Sequence, residues 1–312
     1  MRQPGLIGVL MGGYSSEREI SLKSGQAIAK ALKEAGCQVN AIDIPFKDEE
    51  KILDVIHKAK IDVAFIALHG SLGEDGRIQD FLEKSHVPYV GSGVAASRLA
   101  INKARTQALF KTAGIPVAEH LILESFSIDR LSRVLKTFSF PVVVKPACEG
   151  SSIGVTIVFE KENLEVALKE AFRYGSDVLV EQYIKGREFT VGILNEAPLP
   201  VVEICPANPF FDFKAKYFSQ GQTQYIVPAK IDDKLAKMMQ SIALKAHQIL
   251  NCRHFSRVDM MLDEDLNPYV LEVNTIPGFT ETSLLPKAAS AAGINFTQLC
   301  LKLIQLAYGQ KK

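Results

Sequence analysis

The stretch Arg257-Val-Asp-Met-Met-Leu-Asp263, followed by Tyr269-Val-Leu-Glu-Val-Asn-Thr275, reads as two neighbouring strands that carry charge where a core should be apolar. Strand side chains alternate with a period of two. Arg257 and Asp259 therefore share one face, and Val258, Met260 and Leu262 take the other. In the second strand Glu272 and Asn274 share a face, opposed by Leu271 and Val273. If the strands pair, three oxygen donors (Asp259, Glu272, Asn274) converge beside one guanidinium. Mg²⁺ takes oxygen ligands at about 2.0–2.1 Å and is commonly shared between one or two carboxylates and substrate phosphates. A half-exposed antiparallel hairpin with a polar outer face shows the same alternation. The choice between the two rests on the rest of the chain.

Composition sets broad bounds. A chain of 312 residues has room for two or three domains with substantial cores. Its 47% apolar and 23% charged content are globular values. A net charge of +1 argues against a polyanion-binding surface, so no nucleic-acid partner is expected. The five cysteines (Cys37, Cys148, Cys205, Cys252, Cys300) are scattered and include no C-x-x-C pair. That is neither a disulfide framework nor a zinc site, and it suits a reducing cytoplasm. Residues 6–11 are apolar but too short to span a membrane, and Gly12-Gly13 and Glu17-Arg18-Glu19 follow at once. They read as a first strand, not a signal peptide, and no membrane association is expected.

Three blocks follow from the periodicities. Residues 1–98 alternate strand and helix, with strands expected at 6–11, 38–44, 63–68 and 88–90. Ser21 is expected to cap the first helix, whose apolar positions Ile28, Ala31, Leu32 and Ala35 recur at three and four, with Gly36 following it. This is the βαβ pattern of a parallel sheet. The second block, 99–185, opens within a helix expected over 97–114. A strand at 142–145, a Gly/Ser loop at 150–154, a return strand at 155–158, a helix at 163–174 and a strand at 178–183 complete it. The third block, 186–312, holds a strand at 189–194, an irregular polar segment at 208–223, a helix at 233–250, the charged strand pair and a terminal helix.

Glycine-rich segments compete for phosphate. Gly91-Ser-Gly-Val-Ala-Ala96 imitates a dinucleotide fingerprint but lacks the acidic residue about 20 positions on in a βαβ setting. No G-x-x-x-x-G-K-[ST] occurs. Cys148-Glu-Gly-Ser-Ser-Ile-Gly154 lies between two strands, as a hairpin flap whose Ser151 and Ser152 can donate to phosphate oxygens; a plain surface turn has the same composition. Lys145 ends an apolar strand, where a buried lysine requires a counter-charge. Lys103 and Lys216 read individually as surface lysines, and Glu181 and Glu188 flank the turn between the second and third blocks. Jointly, phosphate cations, a flap, a hinge and an oxygen trio describe an ATP site between two domains.

These residues carry a family resemblance. The chain resembles the ATP-grasp enzymes and, within them, the D-alanine–D-alanine ligases, over nearly its whole length. The carriers are Gly12-Gly-Tyr-Ser-Ser-Glu-Arg-Glu19, His69-Gly-Ser-Leu-Gly-Glu-Asp-Gly76, Val144-Lys-Pro146 with Gly150-Ser-Ser-Ile-Gly154, Asp212-Phe-Lys-Ala-Lys-Tyr217, Arg257-Val-Asp259 and Glu272-Val-Asn-Thr-Ile-Pro-Gly278. The resemblance implies an α/β protein of ATP-grasp fold, an N-terminal parallel α/β domain followed by two α+β domains that enclose ATP. It implies that one D-alanine carboxylate attacks the γ-phosphate of ATP and that the amine of a second D-alanine then attacks the acyl phosphate. ATP is the co-substrate, and two Mg²⁺ ions, with Mn²⁺ as an alternative, are the implied cofactors.

By resemblance, Lys103 and Lys145 hold the α- and β-phosphates, with Ser152 beside them, and Lys216 reaches the γ-phosphate. Asp259, Glu272 and Asn274 hold the metal ions. Glu181 contacts the adenine and Glu188 the ribose. Arg257 and the Gly278 amide form the oxyanion site, where one donor is typically worth about 10²–10³ in rate. Glu17 binds the ammonium of the first D-alanine with His69 near it, and Ser151 and Tyr217 join Glu17 in a bridge that shuts the flap. Ser283 and Leu284 receive the second D-alanine. Tyr217, where ligases that make D-alanyl-D-lactate use a histidine, implies an amine acceptor. A homodimer in the cytoplasm making a peptidoglycan precursor completes the picture.

The chain departs from the family pattern at Phe211 and Phe213 (tyrosines are usual), Asp80 and His254 (glycine), Asn102 (aspartate) and Thr282 (histidine). Another carboxylate–amine ligase would differ at Glu17, His69, Tyr217 and Ser283, and a dead relative would lose metal ligands or Arg257; all are present.

Overall fold

The computed structural model describes residues 5–206 and 223–309. It contains three sheets in chain order. In the first, β1 (Leu6–Gly12) pairs in parallel with β2 (Gln38–Ile44) and β3 (Val63–Ile66), and β3 with β4 (Tyr89–Val90). The interior strands β1 and β3 are apolar and buried almost throughout, as strands covered on both faces must be. Helix α1 (Arg18–Glu34) covers one face, and α2 (Glu49–Ala59) and α3 (Arg77–Lys84) the other.

Helix α4 (Val94–Ile101) and helix α5 (Lys103–Thr112) lead into the second sheet, an antiparallel set of β5 (His120–Leu123), β8 (Val178–Gln182), β6 (Val142–Pro146) and β7 (Thr156–Val158). Helices α6 (Ile128–Thr137) and α7 (Leu164–Ala171) contribute Val134, Leu164 and Leu168 to its core. The third sheet has the order β12 (Gln224–Ile226), β11 (Val202–Cys205), β9 (Gly186–Leu194), β13 (Phe255–Asp263), β14 (Pro268–Asn274), with β10 (Ala197–Pro198) folded onto β9. Helix α8 (Asp233–Ile249) packs Met239, Ala243 and Ala246 against its apolar face, on Val191, Val258 and Met260. Helix α9 (Leu284–Ala291) and the terminal helix α10 (Phe296–Tyr308) return to the first sheet, where Leu299, Leu303 and Ile304 join Ile28 and Leu32 in one cluster.

Several local expectations change. Helix α1 starts at Arg18, so Ser21 lies inside it and is no cap. Its hydroxyl instead accepts from Gly12 N (2.8 Å) and donates to Ala67 O (2.7 Å), fastening the helix to β1 and to the end of β3. Gly36 does follow the helix, at φ +82°. The helix expected over 97–114 is two helices. Asn102 breaks it with ψ 92° and caps α5 by accepting from Arg105 N at 3.0 Å, so an asparagine does an aspartate's work here. The strand expected over 63–68 ends at Ile66, and the strand expected over 189–194 begins at Gly186.

The charged strands do pair, with Arg257 opposite Asn274 and Asp259 opposite Glu272. A bulge follows, and Met260 pairs with Val270, so Leu271 is the extra residue. The expected alternation places Leu271 with Val273 on the core face. In the structure Val270 and Val273 are buried in the core, whereas Leu271 lines the cleft beside Glu272. One inserted residue lets two consecutive side chains reach the same face.

Candidate active site

Between the second and third sheets lies a cleft of about 350 Å³. Lys103, Lys145, Ser152 and Glu181 line it from one side, and Glu188, Asp259 and Glu272 from the other. The strand period explains the convergence. Val143 lies opposite Glu181 and Lys145 opposite Leu179, so the lysine and glutamate are diagonal neighbours on one face. Their side chains are 9% and 4% exposed and meet at 2.7 Å (Lys145 Nζ to Glu181 Oε2). The other oxygen of Glu181 accepts from Gln107 Nε2.

Lys103 opens α5. Its backbone amide donates to Ala147 O at 2.8 Å, which fixes the helix start against the base of the flap. Its Nζ lies 3.1 Å from Glu272 Oε2 and donates to Glu149 O at 2.6 Å. Burial works against the Lys103 charge, but Glu272, with a further contribution from Glu74, outweighs it and raises the pKa. Arg257 holds Asp259 through two bonds, Nε to Oδ1 at 2.8 Å and a terminal nitrogen to Oδ2 at 2.7 Å. Thr190 Oγ1 donates to Asp259 Oδ1 (2.6 Å), and Asn274 Nδ2 donates to Asp259 Oδ2 (3.0 Å) and Glu272 Oε1 (3.5 Å). Asn274 thus bridges the two carboxylates.

Among the described residues no three His, Cys, Asp or Glu side chains group as a metal site. The oxygen set here has two carboxylates and an amide, all hard donors. That chemistry fits Mg²⁺ or Mn²⁺ bound jointly with phosphate oxygens and does not suit zinc.

The flap closes onto the first sheet. Ser151 and Ser152 adopt left-handed backbone angles, φ 52° and 60°, uncommon for non-glycine residues and frequent where a loop is held for function. Ser151 Oγ donates to Glu17 Oε1. Glu17 occupies the N-cap position of α1 but makes no side-chain cap bond, and its carboxylate points to the flap. A Cβ on Gly70, at φ +66°, would come within 2.6 Å of Glu17 Oε2 and push that carboxylate away from the flap.

Beneath Glu17 lies His69, 3% exposed, with Nε2 3.1 Å from Ser24 Oγ and Nδ1 3.1 Å from Ile276 O. Glu74 Oε1 is 3.7 Å from Nδ1. Burial opposes a charged imidazole, but Glu74, aided by Glu17 and the Ile276 carbonyl, raises the His69 pKa. Burial, then the nearby Glu17 and Glu272 charges, raises that of Glu74 despite His69. Ser24 also accepts from Phe279 N (3.3 Å), so α1 steadies the loop that carries Gly278. There Ser283 Oγ accepts from Thr280 N at 3.0 Å and lies 2.9 Å from Thr280 Oγ1, while Leu284 opens α9.

Lys216 and Tyr217, with Phe211 and Phe213, lie outside the described residues. His254 stands at φ +63°, which accounts for the glycine usual there, and its Nδ1 accepts from Gly91 N at 3.0 Å. The glycine segment that imitates a dinucleotide loop thus ties the first sheet to β13. Sequence reasoning missed Glu74, Thr190 and Gln107. Each had a signal: Glu74 sits in the His69 segment, Thr190 follows Glu188 with strand period, and Gln107 follows Lys103 with helical period.

A parallel α/β unit joined to two antiparallel units that clasp a cation-lined cleft defines the class, an ATP-grasp enzyme. Two family models match the chain, the D-ala D-ala ligase N-terminus over residues 44–92 and the D-ala D-ala ligase C-terminus over 109–305. A D-alanine–D-alanine ligase of Trichlorobacter lovleyi is 47% identical over 294 residues, covering 94% of this chain and 92% of the relative. The crystal structure of D-alanine–D-alanine ligase from Bacillus anthracis complexed with ATP superposes with a TM-score of 0.83 at 35% identity, covering 98% of each chain. A D-Ala:D-Ser ligase structure from Enterococcus faecalis gives 0.85 at 29% identity, covering 98% of this chain and 100% of that one. The chain belongs to the D-alanine–D-alanine ligase family.

Proposed function

We propose that this chain uses ATP to join two D-alanines into D-alanyl-D-alanine, releasing ADP and phosphate, for peptidoglycan precursor synthesis. The observation that carries the reading is the Ser151–Glu17 contact, which brings the flap down on a cleft lined by Lys103, Lys145, Asp259 and Glu272. Phosphoryl transfer depends on positioning and charge neutralisation. Lys103 and Lys145 hold the α- and β-phosphates with Ser152, and Lys216 meets the γ-phosphate. Glu188 takes the ribose. Both Glu181 oxygens are engaged by Lys145 and Gln107, so its adenine contact shares a carboxylate already fixed in place.

Asp259, Glu272 and Asn274 hold two Mg²⁺ ions, which supply charge neutralisation to the phosphates when bound. Glu17, with His69 behind it, orients the first D-alanine by its ammonium. The carboxylate of that D-alanine attacks the γ-phosphorus and ADP leaves; the free amine of the second D-alanine then adds to the acyl carbonyl and loses a proton, and phosphate departs with its bonding electrons. Arg257 and the Gly278 amide hold the oxyanion, Ser283 and Leu284 receive the second D-alanine, and Ser151 and Tyr217 keep water off the acyl phosphate.

The units 1–98, 99–185 and 186–312 form the domains in this reading, in a cytoplasmic homodimer. Among the described residues no helix is long and apolar enough to cross a membrane. The test is ADP and dipeptide production from ATP, Mg²⁺ and D-alanine, beside L-alanine and D-alanine plus D-lactate. Equal ADP and D-alanyl-D-alanine, with no ester, is the expected result; no turnover in any mixture overturns it.

A further inference from the structure

The second amino acid forms its new bond through nitrogen and keeps its carboxylate throughout, so its subsite must accommodate a negative charge that never reacts. Among the described residues the cations at the cleft are already engaged: Lys103 by Glu272, Lys145 by Glu181, Arg187 by Glu203 and Arg257 by Asp259. Lys287 differs. It is half-buried, and among the described residues no carboxylate pairs with it. Its amide donates to Ser283 O at 3.0 Å, which sets Lys287 one turn beyond the Ser283 N-cap of α9.

Its Nζ stands 4.7 Å from the centre of the Tyr225 ring. Tyr225 pairs with Ile204, which pairs on its other side with Glu188, so Tyr225 lies on the cleft face of the third sheet. An aromatic face holds a cation in position without neutralising it. We propose that Lys287, held by Tyr225, binds the carboxylate of the second amino acid and selects for acceptors that carry one. This assignment rests on the ligase reading above. The plain alternative is a lysine whose stem merely covers apolar surface.

Lys287→Met keeps the stem and removes the charge. With ATP and Mg²⁺ saturating, the KM of the second D-alanine should rise about 10–100-fold, while the KM values of ATP and the first D-alanine stay fixed. D-alaninamide, an acceptor without a carboxylate, should be used equally by wild type and variant, and Lys287→Arg should stay within a few-fold of wild type. An unchanged acceptor KM overturns the assignment. So does an equal loss on D-alaninamide, or a loss in Lys287→Arg as large as in Lys287→Met. A wild-type protein that makes no dipeptide overturns the parent reading and this one with it, whereas active wild type with an indifferent Lys287 overturns this one alone.

Discussion

Replacing Lys145 by methionine should destabilise the protein far more than replacing Lys145 and Glu181 together by methionine and leucine. The pair is 9% and 4% exposed and makes a 2.7 Å contact between β6 and β8. Removing one partner of such a pair leaves an uncompensated buried charge, at a typical cost of about 3–5 kcal/mol. Gln107 still donates to Glu181 in the single variant, so the lower end, about 3 kcal/mol, is expected. In the double variant two apolar side chains of similar size fill the space, and the cost falls to about 1 kcal/mol or less. Glu181→Leu likewise orphans the lysine, at about 3 kcal/mol or more. The double variant then falls short of the sum of the two single costs by roughly 5 kcal/mol, well above the ~0.5 kcal/mol seen for independent sites. The chain has no tryptophan, so urea unfolding is best followed by far-UV circular dichroism. Equal costs for single and double variants, or simple additivity with Glu181→Leu, would refute the reasoning, because it depends on the orphaned carboxylate and not on lost packing. Both variants should also lose ATP affinity, which separates the site's use of the pair from the fold's.

Arg257→Ala and Glu272→Ala should each abolish dipeptide formation with the far-UV spectrum intact; normal turnover in either would remove the oxyanion or metal role. Ser151→Ala breaks the flap's bond to Glu17 and should raise the ratio of ADP to dipeptide as water reaches the acyl phosphate, read by paired assays of the two products. Cys252 and Cys300, whose thiol pKa values burial pushes up to about 12, should react with thiol reagents only on unfolding, unlike the exposed Cys148. The His69–Glu74 pair gives a signed pH effect. Both pKa values are raised in the folded state, above 6.5 and 4.5, so the native protein binds more protons than the unfolded chain, and stability falls as pH rises through the folded values. Glu74→Gln should flatten the fall of melting temperature as pH rises above the ordinary carboxylate range; an unchanged slope would show that the pair does not titrate there.

How far the sequence could be read follows from which patterns are local. The first sheet and the pairing of Arg257–Asp263 with Tyr269–Asn274 were legible because period-two alternation and βαβ spacing need only a few consecutive residues. The break at Asn102 was not, because an asparagine inside an apolar-periodic run looks the same whether it faces solvent or caps a new helix. Only the packing of Lys103 N onto Ala147 O decides it. Ser21 failed similarly: cap residues are recognised by type, yet its two partners, Gly12 and Ala67, are brought beside it by the sheet. Residues that act through another residue were hardest to see. Gln107 and Thr190 are ordinary polar side chains until the fold sets them against Glu181 and Asp259.

The bulge at Leu271 shows why the last step had to be structural. Alternation assigns Leu271 to the core, and the protein places it in the cleft beside Glu272. A regular strand would offer the site one residue in two along β14. With the extra residue, Glu272 keeps its place opposite Asp259 while an apolar side chain joins it on the same face. The carboxylate that meets Lys103 then stands beside a hydrocarbon wall, where less water competes for its charge and its attraction to a cation is stronger than on an open hairpin. The half-exposed hairpin and the cation site therefore differ by one inserted residue, and no periodicity count reveals it.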